Sequence, residues 1–212
     1  MIFQKNQTIV FTGDSITDVN RRESPCQPMG QGYAMISAAL LSAKFSRRDL
    51  KFYNKGVGGD TVRQLDFRWQ DDILSLNPDW LSVLVGINDV WRAVSGRKDE
   101  AVPLEEYYGT YWRLLDRTLD LYGTQFILWE PFFIHPEKTQ AMRLVLKDYI
   151  EAVHQLADEF SAKLIQTQEA FDRLLTQKPL EYWTEDSVHP NLAGHGAMAR
   201  LLLKTVEYEK ED

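Results

Sequence analysis

Short apolar segments alternate with longer amphipathic segments along this chain. Five short runs, rich in β-branched and aromatic residues, are too brief to form good helices, and they predict buried strands. These runs cover residues 8–11, 51–53, 81–85, 126–129 and 163–165.

Between these runs, apolar residues recur at the spacing of an amphipathic helix. Four such stripes are Met35, Ile36, Ala39, Leu40 and Ala43; Val62, Leu65, Trp69 and Ile73; Tyr107, Tyr111, Leu114, Leu115, Thr118 and Leu121; and Met142, Val145, Leu146, Tyr149, Val153, Leu156 and Phe160. A further helix is expected from Pro190 or Asn191 to about Val206, because proline is tolerated in a first helical turn. Strands that alternate with helices predict an α/β fold, in which right-handed crossovers cover both faces of a parallel sheet.

Length and composition favour one domain covering residues 1–212. Of the 212 residues, 44% are hydrophobic and 12% are aromatic, which is enough to bury a full core. No repeat or low-complexity linker interrupts the chain. Only residues 207–212 are expected to form a solvated tail.

The charge pattern argues against partners that need a basic surface. The formal net charge is −7 and the two signs are interspersed, so no basic stripe is available for nucleic acid or an anionic membrane. The longest apolar stretches, such as residues 80–87, are too short to span a bilayer, and the first residues do not resemble a secretion signal. We therefore expect a cytoplasmic protein, and the single cysteine, Cys26, agrees with a reducing compartment.

Polar loops follow the first three predicted strands. Ser15 comes after the first strand, Gly58 and Gly59 after the second, and Asn88 after the third. Because the carboxyl ends of parallel strands open on one edge of the sheet, these loops are expected to converge. The N–H of Ser15, an N–H of either glycine and the side-chain amide of Asn88 are donors suited to hold a developing oxyanion.

Asp186 and His189 form a second candidate cluster near the C-terminus. A serine hydroxyl is a weak nucleophile at neutral pH, so acyl transfer needs an imidazole to take its proton and a carboxylate to orient the imidazole. Each motif alone also has an ordinary explanation, since Gly-Asp-Ser and Gly-x-Asn-Asp are typical of turns and Asp186 is a suitable helix cap. Together, in this order at strand ends, they predict catalysis by Ser15, His189 and Asp186.

These segments resemble the SGNH hydrolases, also called GDSL-type esterases and lipases. The matching blocks are Gly13-Asp14-Ser15-Ile16, the segment from Asn54 to Thr61, Gly86-Ile87-Asn88-Asp89 and Asp186-Ser187-Val188-His189-Pro190. The resemblance extends over about residues 8–206. It implies a three-layer α/β/α sandwich with a five-stranded parallel sheet, like that of flavodoxin.

The resemblance also implies a role for each site residue. Ser15 is implied to be the nucleophile, His189 the general base and Asp186 the carboxylate that orients the base. The implied oxyanion hole consists of the N–H groups of Ser15 and Gly59 and the side chain of Asn88.

No cofactor and no metal are expected for this chemistry. The four histidines do not show the ligand spacing of a zinc site. His135, His154 and His195 are therefore interpreted as surface or core residues. A supporting role beside the catalytic loop is the alternative for His195.

A closer resemblance is to bacterial acetylesterases that act on xylo-oligosaccharides and related sugars. It rests on residues 54–65, Arg68-Trp69, Pro78-Asp79-Trp80 and the segment from Gly86 to Arg92. It implies hydrolysis of short acyl esters, above all acetyl esters, of a small carbohydrate substrate. Some relatives form closed oligomers, so self-association is a hypothesis for this chain.

Substrate contacts are predicted at Asp14, Trp91, Arg92 and Trp183. Trp91 and Trp183 are suited to stack on a sugar ring or to narrow an acyl pocket, and a place in the core is an equal alternative. Two other functions stay open at this point. One is a lysophospholipase or thioesterase that takes longer acyl chains, and the other is a non-catalytic flavodoxin-like module that binds an anion.

Overall fold

Five parallel strands form the central sheet of the protein. The computed structural model describes residues 1–23 and 27–209. The strands are β1 (Thr8–Gly13), β2 (Lys51–Gly56), β3 (Trp80–Leu84), β4 (Gln125–Trp129) and β5 (Lys163–Ile165), in the spatial order β2-β1-β3-β4-β5. Every neighbouring pair is parallel. All five predicted strands are confirmed, and each lies within three residues of its predicted ends.

Eight helices lie in the described residues. They are α1 (Ser15–Asp18), α2 (Tyr33–Lys44), α3 (Val62–Asp72), α4 (Ile87–Val94), α5 (Leu104–Tyr122), α6 (Ala141–Glu159), α7 (Thr167–Leu175) and α8 (Leu192–Thr205). Helices α1, α4 and α7 were not predicted, because they are too short to show a clear apolar stripe. In residues 1–23 and 27–209, no helix is both long and apolar enough to cross a membrane.

The strand order reverses at β1, since the chain passes from β1 to β2 and then returns past β1 to β3. Right-handed crossovers therefore place α2 on one face of the sheet and α3, α5 and α6 on the other. The contacts agree, because α2 packs on α8 whereas α5 packs on both α3 and α6. The fold is the predicted three-layer α/β/α sandwich, and the reversal opens a crevice at the carboxyl ends of β1 and β3.

The buried face of α2 differs from the predicted one. Met35 and Leu40 belong to the predicted stripe, yet they are 37% and 41% exposed. The helix instead buries Tyr33, whose hydroxyl group lies 3.0 Å from that of Thr17 and whose ring contacts Trp129. With Tyr33 and Leu41 in the core, the other core-facing residues of α2 are small, and several aliphatic residues face solvent. Two residues of other predicted stripes are also exposed, namely Leu121 and Val145.

The C-terminal segment is not wholly a solvated tail, so that prediction is wrong for Tyr208. Its ring packs edge-on against Phe45, with ring centroids 5.9 Å apart. Its carbonyl group accepts a hydrogen bond of 2.6 Å from Lys44 Nζ. Residues 210–212 and Cys26 lie outside the described residues.

Candidate active site

Ser15 lies at the carboxyl end of β1, as the first residue of α1. Asp14 caps this short helix, and its Oδ1 accepts a hydrogen bond of 3.0 Å from the N–H of Ile16. Gly13 has a φ of 146°, and a β-carbon at this position would overlap the carbonyl group of Leu84. Only glycine therefore allows β1 to end this close to β3 and turn directly into the helix that presents Ser15.

A line of hydrogen bonds joins Ser15, His189 and Asp186. The distance from Ser15 Oγ to His189 Nε2 is 2.9 Å, and that from His189 Nδ1 to Asp186 Oδ2 is 2.6 Å. Because the carboxylate accepts from Nδ1, the lone pair of Nε2 faces the hydroxyl group. Residues from opposite ends of the chain thus form the arrangement that proton transfer from a serine requires.

The Asp186 carboxylate is held by its own loop. Its Oδ1 accepts hydrogen bonds from the N–H groups of Val188 and His189, at 3.0 and 2.7 Å. Partial burial alone would raise the pKa of Asp186, but the hydrogen bonds from the His189 ring and from these N–H groups outweigh that effect. The pKa of Asp186 therefore lies below its ordinary value, and the carboxylate stays ionised beside the imidazole.

Two further residues fix this loop, and sequence reasoning missed both. The hydroxyl group of Thr184 donates to the carbonyl group of His189 at 2.8 Å. The N–H of Ile134, in the segment after β4, donates to the carbonyl group of Ser187 at 2.8 Å. Thr184 is close enough in sequence to be found as a turn residue, whereas nothing local in the sequence points to Ile134.

The glycine loop after β2 has one free N–H near the nucleophile. The N–H of Gly58 donates to Asp18 Oδ2 at 2.9 Å and is therefore already used. The N–H of Gly59, which has a φ of 83°, has no hydrogen-bond partner within the described part of the chain. Asn88 Nδ2 donates to the carbonyl group of Asp60 at 3.0 Å, which leaves its second hydrogen available. Of the two adjacent glycines, Gly59 is thus the one with a free donor.

Buried carboxyl groups lie beneath these loops. Asp14 is fully buried, and desolvation raises its pKa to about 7. Asp89, in the first turn of α4, is equally buried, and desolvation raises its pKa to about 7 as well. The predicted substrate contact of Asp14 is wrong, because its carboxyl group caps α1 from below and has no exposed surface.

A cleft of about 370 Å³ opens beside Ser15 and His189. Its wall includes the polar side chains of Asn20, Arg22 and Glu23. A larger groove of about 970 Å³ lies between α2, α7 and α8, and its lining contains none of the residues of the candidate site.

Three other predicted substrate contacts do not line the cleft. Trp183 is buried and packs edge-on against Tyr182, and Trp91 is half-buried against the core. Arg92 is used within the protein, because its Nη2 donates to the carbonyl group of Gly59 at 2.6 Å. In this structure the two tryptophans pack against other protein groups and Arg92 is hydrogen-bonded within the protein, so substrate contact by these three side chains stays a prediction.

The histidines other than His189 have structural partners. His154 Nε2 lies 2.6 Å from Glu130 Oε1. His195 is buried and lines the cleft, and its Nδ1 accepts a hydrogen bond of 3.4 Å from the N–H of Tyr33. Desolvation, followed by the nearby charge of His189, lowers the pKa of His195 to about 4. Among the described residues, no group of three or more His, Cys, Asp and Glu side chains is placed to hold a metal ion.

A three-layer α/β sandwich with a serine, an imidazole and a carboxylate in line at its crevice has the architecture of a hydrolytic enzyme. Comparison with known proteins makes this specific, since the model of the GDSL-like lipase/acylhydrolase family matches residues 11–197. The chain belongs to this family, and it is a carboxylic ester hydrolase.

Its relatives share both sequence and fold. An acetylxylan esterase of Geobacillus stearothermophilus is 35% identical over 209 residues, which are 96% of this chain and 95% of that protein. The crystal structure of Axe2, an acetylxylan esterase from Geobacillus stearothermophilus, gives a TM-score of 0.91 at 34% identity and covers 97% of this chain and 96% of that one. The structure of LAE5, an alpha/beta hydrolase enzyme from the metagenome of Lake Arreo, Spain, gives a TM-score of 0.92 at 35% identity over 99% of each chain. Structures of catalytic mutants of Axe2, in which an aspartate, a histidine or a serine is replaced by alanine, are equally similar.

Proposed function

We propose that this protein hydrolyses acetyl esters, and other short acyl esters, of carbohydrates through an acyl-enzyme on Ser15. The observation that carries the proposal is the unbroken line from Ser15 Oγ to His189 Nε2 at 2.9 Å and from His189 Nδ1 to Asp186 Oδ2 at 2.6 Å. The residue types agree with those of the Axe2 catalytic mutants, in which the aspartate and the histidine are also three positions apart.

In the first half-reaction, His189 Nε2 takes the proton of Ser15 as Oγ attacks the ester carbon. A bond forms between Oγ and that carbon, and the carbonyl electron pair moves onto oxygen. The N–H groups of Ser15 and Gly59 and the amide of Asn88 are the proposed donors to this oxyanion. When the carbonyl group re-forms, the bond to the alcohol oxygen breaks, and the His189 imidazolium protonates the leaving alcohol.

In the second half-reaction, water replaces the alcohol. His189 takes a proton from the water as its oxygen attacks the acyl carbon, and the same donors receive the second oxyanion. The bond from carbon to Oγ then breaks, Oγ regains a proton from His189, and the carboxylic acid leaves. Asp186 stabilises the imidazolium in both halves and keeps Nε2 directed at the reacting oxygen.

Two observations support a short acyl group on a sugar. The relatives that match over nearly the whole chain include an acetylxylan esterase. The cleft beside Ser15 and His189 presents Asn20, Arg22 and Glu23, which are suited to hydroxyl groups rather than to a long hydrocarbon chain.

The test is a series of 4-nitrophenyl esters from acetate to palmitate, measured beside fully acetylated xylose and xylobiose. We expect kcat/KM to be highest for the acetate ester and to fall steadily with chain length, and we expect acetate release from the sugars. A preference for the longest esters would reject the acyl-length assignment and favour the lysophospholipase or thioesterase alternative. Absence of hydrolysis of every ester would reject the proposal itself.

Several sequence predictions stay predictions, among them the organisation of residues 1–212 as a single domain, the cytoplasmic location, self-association and the lack of nucleic-acid or membrane partners. The single sheet and the family match over residues 11–197 support the first of them.

A further inference from the structure

We propose that Asp18 and Arg92 are positioning residues that direct the N–H of Gly59 at the oxyanion. The inference rests on the proposed function and extends it to two side chains outside the hydrogen-bonded line of Ser15, His189 and Asp186. Both act on the backbone on either side of Gly59, one from the helix that carries Ser15 and the other from the helix that carries Asn88.

The glycine loop has little packing of its own. Gly58 and Gly59 are exposed, and a β-carbon added at Gly59 would meet no atom within 4 Å. Gly59 also has a φ of 83°, a conformation that glycine adopts without a steric penalty. An N–H in such a loop stabilises a transition state only if other groups hold its direction before the reaction begins.

Asp18 ties this loop to the nucleophile. It lies in α1, three residues after Ser15, and its side chain is only 9% exposed. Its Oδ2 accepts from the N–H of Gly58 at 2.9 Å and from Arg22 Nε at 3.1 Å. A charge-assisted hydrogen bond of this kind is stronger than a neutral one. The position of the loop therefore follows the position of the helix that presents Ser15.

Arg92 holds the other side of Gly59. Its Nη2 donates to the carbonyl group of Gly59 at 2.6 Å, and its side chain is 15% exposed. One turn earlier in α4, Asn88 donates to the carbonyl group of Asp60 at 3.0 Å. The carbonyl groups of two successive residues are therefore both fixed by α4.

A further anchor completes the set. Asp60 Oδ2 accepts from Arg68 Nε at 2.6 Å, and Arg68 Nη2 donates to the carbonyl group of Gly13 at 3.0 Å. This bridge connects the end of the glycine loop to the end of β1. The N–H of Gly58 and the carbonyl groups of Gly59 and Asp60 are thus engaged, whereas the N–H of Gly59 has no partner among the described residues.

This arrangement predicts a specific kinetic signature. The oxyanion exists only after attack, so misdirection of the Gly59 N–H weakens the transition state more than the bound substrate. Loss of either anchor is expected to lower kcat and to leave KM nearly unchanged.

The experiment compares Arg92→Ala with Arg97→Ala, using 4-nitrophenyl acetate as the substrate and methylboronic acid as a tetrahedral mimic. Both arginines approach Glu100 at 3.8 Å, but only Arg92 contacts Gly59. We expect Arg92→Ala to lower kcat roughly 10- to 100-fold with KM within about twofold. The inhibition constant of methylboronic acid should rise by the same factor as kcat falls, and Arg97→Ala should match the wild type in all three quantities.

A second pair of variants tests Asp18. Asp18→Ala removes the acceptor for the N–H of Gly58, whereas Asp18→Asn keeps a side-chain oxygen that can accept from it. We expect Asp18→Ala to behave like Arg92→Ala and Asp18→Asn to recover most of the lost kcat. Thermal unfolding of each variant, followed by circular dichroism, separates a loss of alignment from a loss of fold.

The proposal is overturned if kcat and boronate affinity in Arg92→Ala and in folded Asp18→Ala stay within about twofold of the wild type. It is equally overturned if Arg92→Ala raises KM at constant kcat, since that result identifies Arg92 as a substrate contact. Hydrolysis by the wild type and its loss in Ser15→Ala, measured in the same series, report on the proposed function independently of these variants.

Discussion

Ser15 and His189, the two residues that exchange a proton in the proposed reaction, are held in place in different ways. On the nucleophile side, Ser15 follows directly from a buried strand, and Asp14 beneath it is 0% exposed. On the base side, the side chains of His189 and Asp186 are 55% and 52% exposed. The serine is therefore placed by the packing of the sheet, whereas the imidazole is placed by hydrogen bonds of one surface loop.

This difference has a consequence for the effects of mutation. Most groups around Ser15 also belong to the core, so a change there alters stability and activity together. The side chains of His189 and Asp186 are half-exposed, so a change of either one is expected to alter activity and leave the fold nearly unaffected.

The largest effect is expected for Ser15→Ala. Because Ser15 Oγ has its hydrogen bond to His189 and takes no part in core packing, this variant should keep its fold. Turnover of 4-nitrophenyl acetate should fall on the order of 10⁶-fold, since the nucleophile is lost. Urea unfolding should give a free energy close to that of the wild type. Retention of full activity would show that another residue attacks the ester.

Asp186→Asn is expected to have the next largest effect. The amide no longer stabilises the imidazolium and favours the wrong tautomer of His189, so kcat should fall roughly 10⁴-fold at unchanged fold. Glu185→Gln removes a charge from the neighbouring exposed position and serves as the control. A fall in kcat of less than about tenfold in Asp186→Asn would show that catalysis by His189 does not depend on this carboxylate.

Substitution of Thr184 tests whether the loop that carries His189 needs the hydroxyl group of Thr184 to hold its position. Thr184→Val keeps the shape of this buried side chain but removes the hydroxyl group that donates to the carbonyl group of His189 and accepts from the N–H of Asp186. We expect kcat to fall roughly tenfold, because an unpaired carbonyl group of this kind costs about 1–3 kcal/mol and shifts the loop. Thr184→Ser retains the hydroxyl group and should recover most of the activity. Equal rates for the two variants would contradict the role of this hydrogen bond.

The smallest effect is expected for the pH dependence of the unfolding free energy, to which the buried residue Asp89 contributes. Burial raises the pKa of Asp89 from an ordinary 3.8 to about 7 in the folded protein. Between these two values the folded state binds more protons than the unfolded state, so this residue lowers stability as the pH rises. Asp89→Asn removes that loss while its amide oxygen can still accept from the N–H of Val62.

The measurement is urea unfolding of Asp89→Asn and the wild type at pH 4 and at pH 7. The unfolding free energy of Asp89→Asn minus that of the wild type should be larger at pH 7 than at pH 4, by more than about 1 kcal/mol. A difference that does not change with pH would show that burial does not raise the pKa of this carboxyl group.

Much of the fold could be predicted from local patterns. The five strands appear in the sequence as short apolar runs, and Ser15 follows the first of them. Asp186 and His189 are three positions apart, so their contact could be foreseen from one short segment. The rotation of α2 could not, because the large Tyr33 anchor in the core outweighs the aliphatic stripe that a periodicity argument follows.

The sequence by itself determined the class of fold, the order of elements and the residue types that carry the chemistry, because these depend on spacing between near neighbours. Only the tertiary structure decided which N–H is free in the glycine loop, and it showed that Arg92 donates to the carbonyl group of Gly59. It also brought Ile134 to the loop of His189. Such contacts join residues far apart in the chain, and their geometry is set by how β1, β2 and β3 pack side by side, which no local pattern contains.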